Sequence, residues 1–485
     1  MGIILVSNRV AIPQANMPIQ GGVASALLEA VEKSGAIWVG SSGRLSDDPR
    51  KQALAEIRAL GAGALATLDL PRAHYAGFYE GFSNSGLWPV LHSRPDLVRA
   101  TEQDYDSYRA INRTMARGLM RFNADSLFWI HDYHFLTLGQ ELRRLGTTQP
   151  IGFFLHTPFP QRSIFAALPW HRELAKSMLS YDLIGFQTED DQENFANYVK
   201  RELGLAVDPA KSLIVSTKTR LAAFPIGIDA AAFADRATKA GARPEIARLR
   251  ASLHGAKLAI GVDRIDYSKG LENRFRAFDQ FIQTNPRLKG ELSLLQIAIP
   301  SRSAIETYST LQKDVARLVG EINGKHGEVD WVPIRYVNKG YDQLTLAGLY
   351  RTAQIGLVTP LHDGMNLVAK EYVAAQNPLD PGILILSAFA GAAKQLDAAL
   401  LVNPHDIEAS SRAIGQALMM SADERRERWQ AMMTKIEESS LGSWFSDFVS
   451  ALTGTSTSHH ALPAPKPERL SLKSGRMELA TVEGP

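Results

Sequence analysis

The chain contains no cysteine in its 485 residues. That absence excludes disulfides, thiolate metal ligands and a cysteine nucleophile together, and it fits a reducing compartment. A surplus of charge is also lacking: 53 Lys and Arg stand against 51 Asp and Glu, a net charge of +2. So even a balance does not create the one-sided field that a nucleic acid or membrane surface requires. Anion binding must then come from a few cations placed locally. No window approaches the roughly 18 uninterrupted apolar residues of a membrane span. The run Met1–Val6 is too short for a signal peptide, lacks a basic leader and turns polar at Ser7-Asn8-Arg9. Gly2 does not complete a myristoylation motif, because Val6 occupies the position that wants Ser or Thr. A cytoplasmic location is expected.

What is present is an ordinary globular composition, 45% hydrophobic and 21% charged, in a chain longer than one core usually organises. Short β-branched runs such as Ile3–Val6, Leu127–Ile130, Ile151–Leu155 and Leu183–Phe186 have the form of buried parallel strands. Amphipathic stretches such as Leu136–Leu145 and Asp190–Leu203 separate them. The alternation resumes at Leu258–Val262, Leu292–Ile299, Val332–Val337, Ile355–Val358 and Ile383–Leu386. Such alternation predicts an α/β protein with two doubly wound, Rossmann-like domains facing across a cleft. A seam after Leu221–Pro225 divides the chain into 1–229 and 230–453, and the polar stretch 454–485 is expected to be a disordered tail. The last helix of the second domain is a candidate to pack back on the first. Ligands of open α/β sheets sit at the carboxyl ends of strands.

Gly261–Gly270 places Arg264 and Lys269 in a strand-to-helix loop, with a helix opening near Leu271. Two cations there can compensate a diphosphate leaving group; ion pairs to Asp263 and Asp266 are the plainer reading. Thr359–Tyr372 follows a strand and reads as a helix start capped by Asp363, with Gly364, Met365, Asn366 and Leu367 in its first turn. Free amides there suit phosphate, Gly364 permits close approach, and Glu371 lies two turns on; an ordinary capped helix is the alternative. His131-Asp132-Tyr133-His134 ends a buried strand and suits sugar hydroxyls better than a metal, since no His-Glu-x-x-His helix accompanies it. His156 follows another strand ahead of two prolines; a satisfied core histidine is equally open. Near the start, Arg9 ends the first strand and Gly21-Gly22 opens a helix at Ala24. The Tyr79–Trp88 stretch and Arg302 add aromatic and cationic groups suited to a sugar phosphate.

Rival signatures fail on context. Gly61–Ala66 matches G-x-G-x-x-A, but a helical stretch is expected before it where a strand is needed. Asp104-Tyr105-Asp106 resembles a metal-binding triplet but falls in a polar, helical region, and no Walker A loop or G-x-S-x-G elbow occurs.

Taken together, Ser7–Arg9, Ile130–His134, Gly152–Pro160, Gly185–Glu189, Arg264–Gly270 and Asp363–Gln376 resemble the retaining trehalose-6-phosphate synthase family over residues 3–450. The resemblance implies a GT-B-type pair of domains, the first for acceptor and the second for nucleotide sugar, and transfer of glucose from UDP-glucose to glucose 6-phosphate. It implies that Arg264, Lys269 and the amides of Met365, Asn366 and Leu367 hold the donor diphosphate, and that Glu371 holds the ribose. His156 and Asp363 would hold donor-glucose hydroxyls, with Gly22 against the donor. Arg9, Tyr79, Trp88, Asp132 and Arg302 would clasp the acceptor. A front-face transfer, in which the leaving phosphate takes the acceptor proton, needs no enzyme nucleophile, no metal and no cofactor. A homo-oligomer without nucleic-acid or membrane partners is expected. The loop Ala11–Gln20 and Val23, where relatives commonly have Leu, depart from the pattern. The alternatives are a synthase acting on glycerol 3-phosphate with ADP-glucose, a non-catalytic sugar-phosphate sensor, and a nicotinamide dehydrogenase.

Overall fold

The computed structural model describes residues 2–12, 22–48, 56–122 and 125–454. Strands β1 (Gly2–Arg9), β2 (Ile37–Ser46), β3 (Glu56–Leu60), β4 (Gly63–Pro71) and β5 (Ser126–His131) begin the first sheet. Strands β6 (Ile151–Phe154), β7 (Leu183–Phe186), β8 (Val207–Asp208), β9 (Leu213–Ile214) and β10 (Thr219–Ala223) complete it. Their order is β3-β4-β2-β1-β5-β6-β7-β10-β9-β8. The second sheet holds β11 (Lys257–Arg264), β12 (Leu292–Ile299), β13 (Ile334–Val337), β14 (Ile355–Val358), β15 (Ile383–Ser387) and β16 (Leu400–Val402). Its order is β13-β12-β11-β14-β15-β16, with every pairing parallel.

The branched runs form strands because both faces are covered: β5 and β6 are buried at every position. Chain direction across each sheet reverses once in its centre, between β1 and β5 in the first and between β11 and β14 in the second. A crevice opens at such switch points. Arg9 and Asp132 flank the first; Arg264 and the segment after Val358 flank the second.

One apolar cluster runs through both sheets, from Leu5, Trp129 and Phe154 through Ile226 to Ile260, Leu384 and Leu386. The helix Leu441–Thr453 belongs to it and lies on the first sheet: the Phe448 ring stacks on Trp129 at 4.2 Å between centroids. Gly152 and Gly185 make that seat, since a β-carbon at either would press on the Phe448 ring.

Several expectations are corrected. Gly61–Ala66 follows the strand β3, not a helix, and enters β4 through a tight antiparallel turn. Without a following helix there is no amino-terminal dipole for a dinucleotide phosphate. Asp104 and Asp106 do lie in a helix, Glu102–Leu119, where Asp104 completes a capping box with Thr101. The stretch expected as helix from Leu136 becomes regular only at Leu138, after a 3₁₀ turn at Tyr133–Phe135. The expected tail beyond Gly454, and residues 13–21 of the departing loop, lie outside the described residues.

Candidate active site

A cleft of about 510 Å³ opens between the two switch points. From the first sheet it is lined by Arg9, Tyr79, Trp88, Asp132 and His156, and from the second by Arg264, Lys269, Arg302, Asp363 and Glu371. Met365, Asn366 and Leu367 also line it, as do Ala24 and Leu27 of the helix Gly22–Ser34. That helix begins at Gly22, not at Ala24.

The aromatic residues ride on an unusual element. The short helix Arg72–Ala76 continues as a π-helix over Gly77–Leu87, and Trp88 follows directly. Wide turns of this kind are rare and concentrate at functional sites. Tyr79 stacks nearly parallel on His134, with centroids 6.0 Å apart. The Trp88 indole N–H crosses to the second half of the molecule and donates to Asp266 Oδ1 at 3.3 Å.

Asp266 is the carboxylate around which the cations are arranged. It accepts from Arg302 Nη1 at 2.9 Å and from the Ser268 amide at 3.0 Å. Burial raises its pKa, but the facing charges of Arg302, Arg264, His92 and Lys269 outweigh that effect and hold it at about 2. Arg302 also donates to the hydroxyls of Tyr308 at 2.6 Å and Tyr133 at 3.1 Å, and its guanidinium lies 4.0 Å from the Trp88 ring centre. Arg264 lies 5.4 Å from the same ring. The ion pairs weighed for Arg264 and Lys269 do not form: Asp263 is taken by Arg274 and Asp266 by Arg302. Lys269 pairs instead with Asp363 at 2.6 Å, and among the described residues Arg264 has no salt-bridge partner.

Asp363 does not cap the following helix. Asn366 does, accepting from the Ala369 amide at 3.2 Å. Asp363 is turned away to receive Lys269 Nζ and, at 3.0 Å, Asn366 Nδ2. Gly364 serves a close approach, but to the protein: a β-carbon there would overlap the His156 carbonyl oxygen. Asp132, Arg302 and Asn366 all have positive φ, at 75°, 50° and 77°. Such backbone costs on the order of 1–3 kcal/mol per residue and clusters at functional sites.

Burial tunes the acids and imidazoles. It pushes Asp132 up to about 6, against amide contacts from Tyr133 and His156 and the charge of Arg264, and leaves Asp132 Oδ1 without a partner among the described residues. Glu371 is pushed up to about 7. His156 and His134 are lowered to about 3, again by burial, so both are neutral near pH 7. Both ring nitrogens of His156 are engaged, Nε2 with His131 Nδ1 at 3.1 Å and Nδ1 with Gln187 Nε2 at 3.3 Å. Among the described residues, no group of three or more His, Asp or Glu is placed to hold a metal ion.

Asp266 and Gln187 were not singled out from the sequence as cleft residues. Asp266 entered only as a pairing partner. The pattern Asp263-Arg-Ile-Asp266 after a buried strand carried a signal, since a second acid in a loop rich in cations needs a partner when buried.

Two mostly parallel sheets whose switch points share one cleft define a GT-B-type α/β architecture, the frame of a class of sugar-transferring enzymes. The model of Glycosyltransferase family 20 matches residues 11–454. A trehalose-6-phosphate synthase of Sinorhizobium fredii is 43% identical over 94% of this chain and 98% of its own length. A UDP-forming α,α-trehalose-phosphate synthase of Burkholderia xenovorans, solved in complex with glucose 6-phosphate, aligns at TM-score 0.88 and 42% identity, over 93% of this chain and 100% of that one. An Escherichia coli structure bound with UDP-2-fluoro glucose aligns at TM-score 0.87 and 38% identity, over 93% and 99%. The chain belongs to Glycosyltransferase family 20 and is an enzyme of the glycosyltransferase class.

Proposed function

We propose that the enzyme transfers glucose from UDP-glucose to glucose 6-phosphate, with retention at the anomeric carbon, to give trehalose 6-phosphate and UDP. The observation that carries this reading is the convergence of Arg9 from one sheet with Arg264, Lys269 and Arg302 from the other on one 510 Å³ cleft. Each substrate brings an anionic phosphate, and cations from both walls can hold the two against each other. The names of the S. fredii and B. xenovorans proteins support the same reaction, and the ligands of the B. xenovorans and E. coli structures support the same substrates.

In this reading Arg264, Lys269 and the amide start of the helix Leu367–Ala375 take the diphosphate, with Gly22 near the donor. Glu371 takes the ribose, and His156 and Asp363 take glucose hydroxyls. Arg9, Tyr79, Trp88, Asp132 and Arg302 receive the acceptor, with Arg302 held in place by its buried pair with Asp266. Negative charge grows on the leaving phosphate as the glycosidic bond breaks, and preformed cations stabilise it without reorganisation. That phosphate takes the acceptor hydroxyl proton on the same face, so neither a protein nucleophile nor a metal enters. Residues 1–229 form the acceptor domain and 230–453 the nucleotide-sugar domain, and the enzyme is a cytoplasmic homo-oligomer.

The test incubates purified protein with UDP-, GDP- or ADP-glucose and with glucose 6-phosphate or glycerol 3-phosphate. Nucleotide release and product NMR are followed together. UDP release coupled to an α,α-linked disaccharide phosphate is expected; preference for glycerol 3-phosphate, or binding without turnover, overturns the reading.

A further inference from the structure

The Gly185–Glu189 motif contributes Gln187, a buried side chain that the scheme above leaves without a task. Its amide lies between the Ile226 peptide and the His156 ring. The Ile226 N–H can only donate, so the amide oxygen of Gln187 must face it, at 3.0 Å. The amide nitrogen is thereby turned to His156 Nδ1, at 3.3 Å. An amide NH₂ can only donate, so Nδ1 accepts and the single proton of the neutral ring sits on Nε2. Nε2 lies 3.1 Å from His131 Nδ1, which accepts in turn and leaves its own proton on the far nitrogen. His131 Nε2 is buried and has no partner among the described residues. Every proton in this chain is thus placed by one peptide N–H, independently of how hydrogens are drawn.

The anchor of the chain is held from both halves. Lys370, buried in the helix Leu367–Ala375 beside Glu371, donates to the Ile226 carbonyl at 2.7 Å. The backbone of one residue, Ile226, therefore meets Gln187 through its N–H and Lys370 through its carbonyl.

We propose that Gln187 is a positioning residue of the sugar site: it keeps the His156 proton on Nε2, so that the His131–His156 pair offers the cleft an N–H donor for a sugar hydroxyl. Both rings line the cleft. The His156 N–H rests on His131; a hydroxyl of the bound sugar accepts it in place of that nitrogen. An inverted ring would offer only a lone pair at that edge and would compete for the hydroxyl's own proton. The identity of the ligand rests on the glucosyl-transfer reading; the direction of the chain does not.

Gln187→Glu is the informative variant. Its carboxylate still accepts from the Ile226 N–H but presents His156 with an acceptor, which moves the proton to Nδ1. In ligand-free, ¹⁵N-histidine-labelled protein, assigned with a His156→Gln control, the wild-type ring is expected as the Nε2–H tautomer and the variant as Nδ1–H. kcat/KM for UDP-glucose should fall on the order of 10–100-fold, by analogy with the loss of the partner that orients a metal-bound histidine, with KM for glucose 6-phosphate unchanged. A wild-type Nδ1–H tautomer overturns the proposal, as does an inverted ring that leaves the donor kinetics intact. Should Gln187→Glu not fold, the wild-type spectrum still decides the direction. If wild-type protein shows the Nε2–H ring but transfers no glucose, the functional reading fails and the proton placement stands.

Discussion

Asp266 and Arg302 meet at 2.9 Å with both side chains almost fully withdrawn from water, one in the loop after β11 and the other in the loop after β12. The Trp88 indole, from the opposite sheet, donates to the same carboxylate and lies under the same guanidinium. The segment from Arg264, at the end of β11, to Lys269 therefore also sets the position of the proposed acceptor groups.

Breaking this buried pair from one side should be costly. Asp266→Asn leaves Arg302 buried without its counter-charge, a loss of about 3–5 kcal/mol. Urea unfolding measures it, and KM for glucose 6-phosphate should rise in parallel. Replacing both partners, Asp266→Leu with Arg302→Met, should recover stability but not acceptor binding. A single variant as stable as wild type would contradict the arrangement.

Arg264→Ala and Lys269→Ala remove cations proposed to face the leaving group. Each should lower kcat/KM on the order of 10²–10³-fold while the protein stays folded. Lys269→Ala also frees Asp363 from its 2.6 Å ion pair, so its effect on donor KM should exceed that of Arg264→Ala. Near-normal rates in the folded double variant would rule out the leaving-group role.

How much of this was legible in the sequence depends on range. The branched runs Leu183–Phe186, Leu292–Ile299 and Ile355–Val358 became strands with those bounds, because parallel strands buried on both faces leave an unbroken apolar record. The loop cations were visible because they follow such strands. The cap of the helix Leu367–Ala375 was not. Asp363 and Asn366 are both good caps, but Asp363 is engaged by Lys269, 94 residues earlier in the chain, and Asn366 takes the cap. Gly364 looked like a ligand-facing glycine and is a packing glycine, since the His156 carbonyl it meets comes from the other sheet. The antiparallel turn at Gly61 was hidden because β3 is largely exposed and carries no apolar run.

Stability should depend on pH through Glu371. Burial lifts its carboxyl from an ordinary 4.5 to about 7. Between those values the folded chain keeps a proton that the unfolded chain has lost, so stability falls as pH rises and levels off above about 7. Asp132, raised from 3.8 to about 6, acts in the same sense over a lower window. The Tm of Glu371→Gln relative to wild type should climb through the Glu371 window and then stay flat. A difference that is constant across it would contradict the burial.

Phe448 ties the last helix to the first sheet through its 4.2 Å stack on Trp129. Phe448→Ala should cost about 3–5 kcal/mol by emptying a packed site. It should also split the unfolding transition monitored by tryptophan fluorescence and circular dichroism, as the two sheets lose a shared contact. A single coincident transition at the wild-type midpoint would show that the helix does not couple them.

The most direct test of the shared cleft is calorimetric titration of glucose 6-phosphate into protein with and without saturating UDP. The account predicts that both ligands bind at once, that Arg264→Ala with Lys269→Ala weakens UDP, and that Arg9→Ala weakens only the sugar phosphate. Mutual exclusion of the two ligands, or loss of both through Arg9→Ala alone, would contradict it.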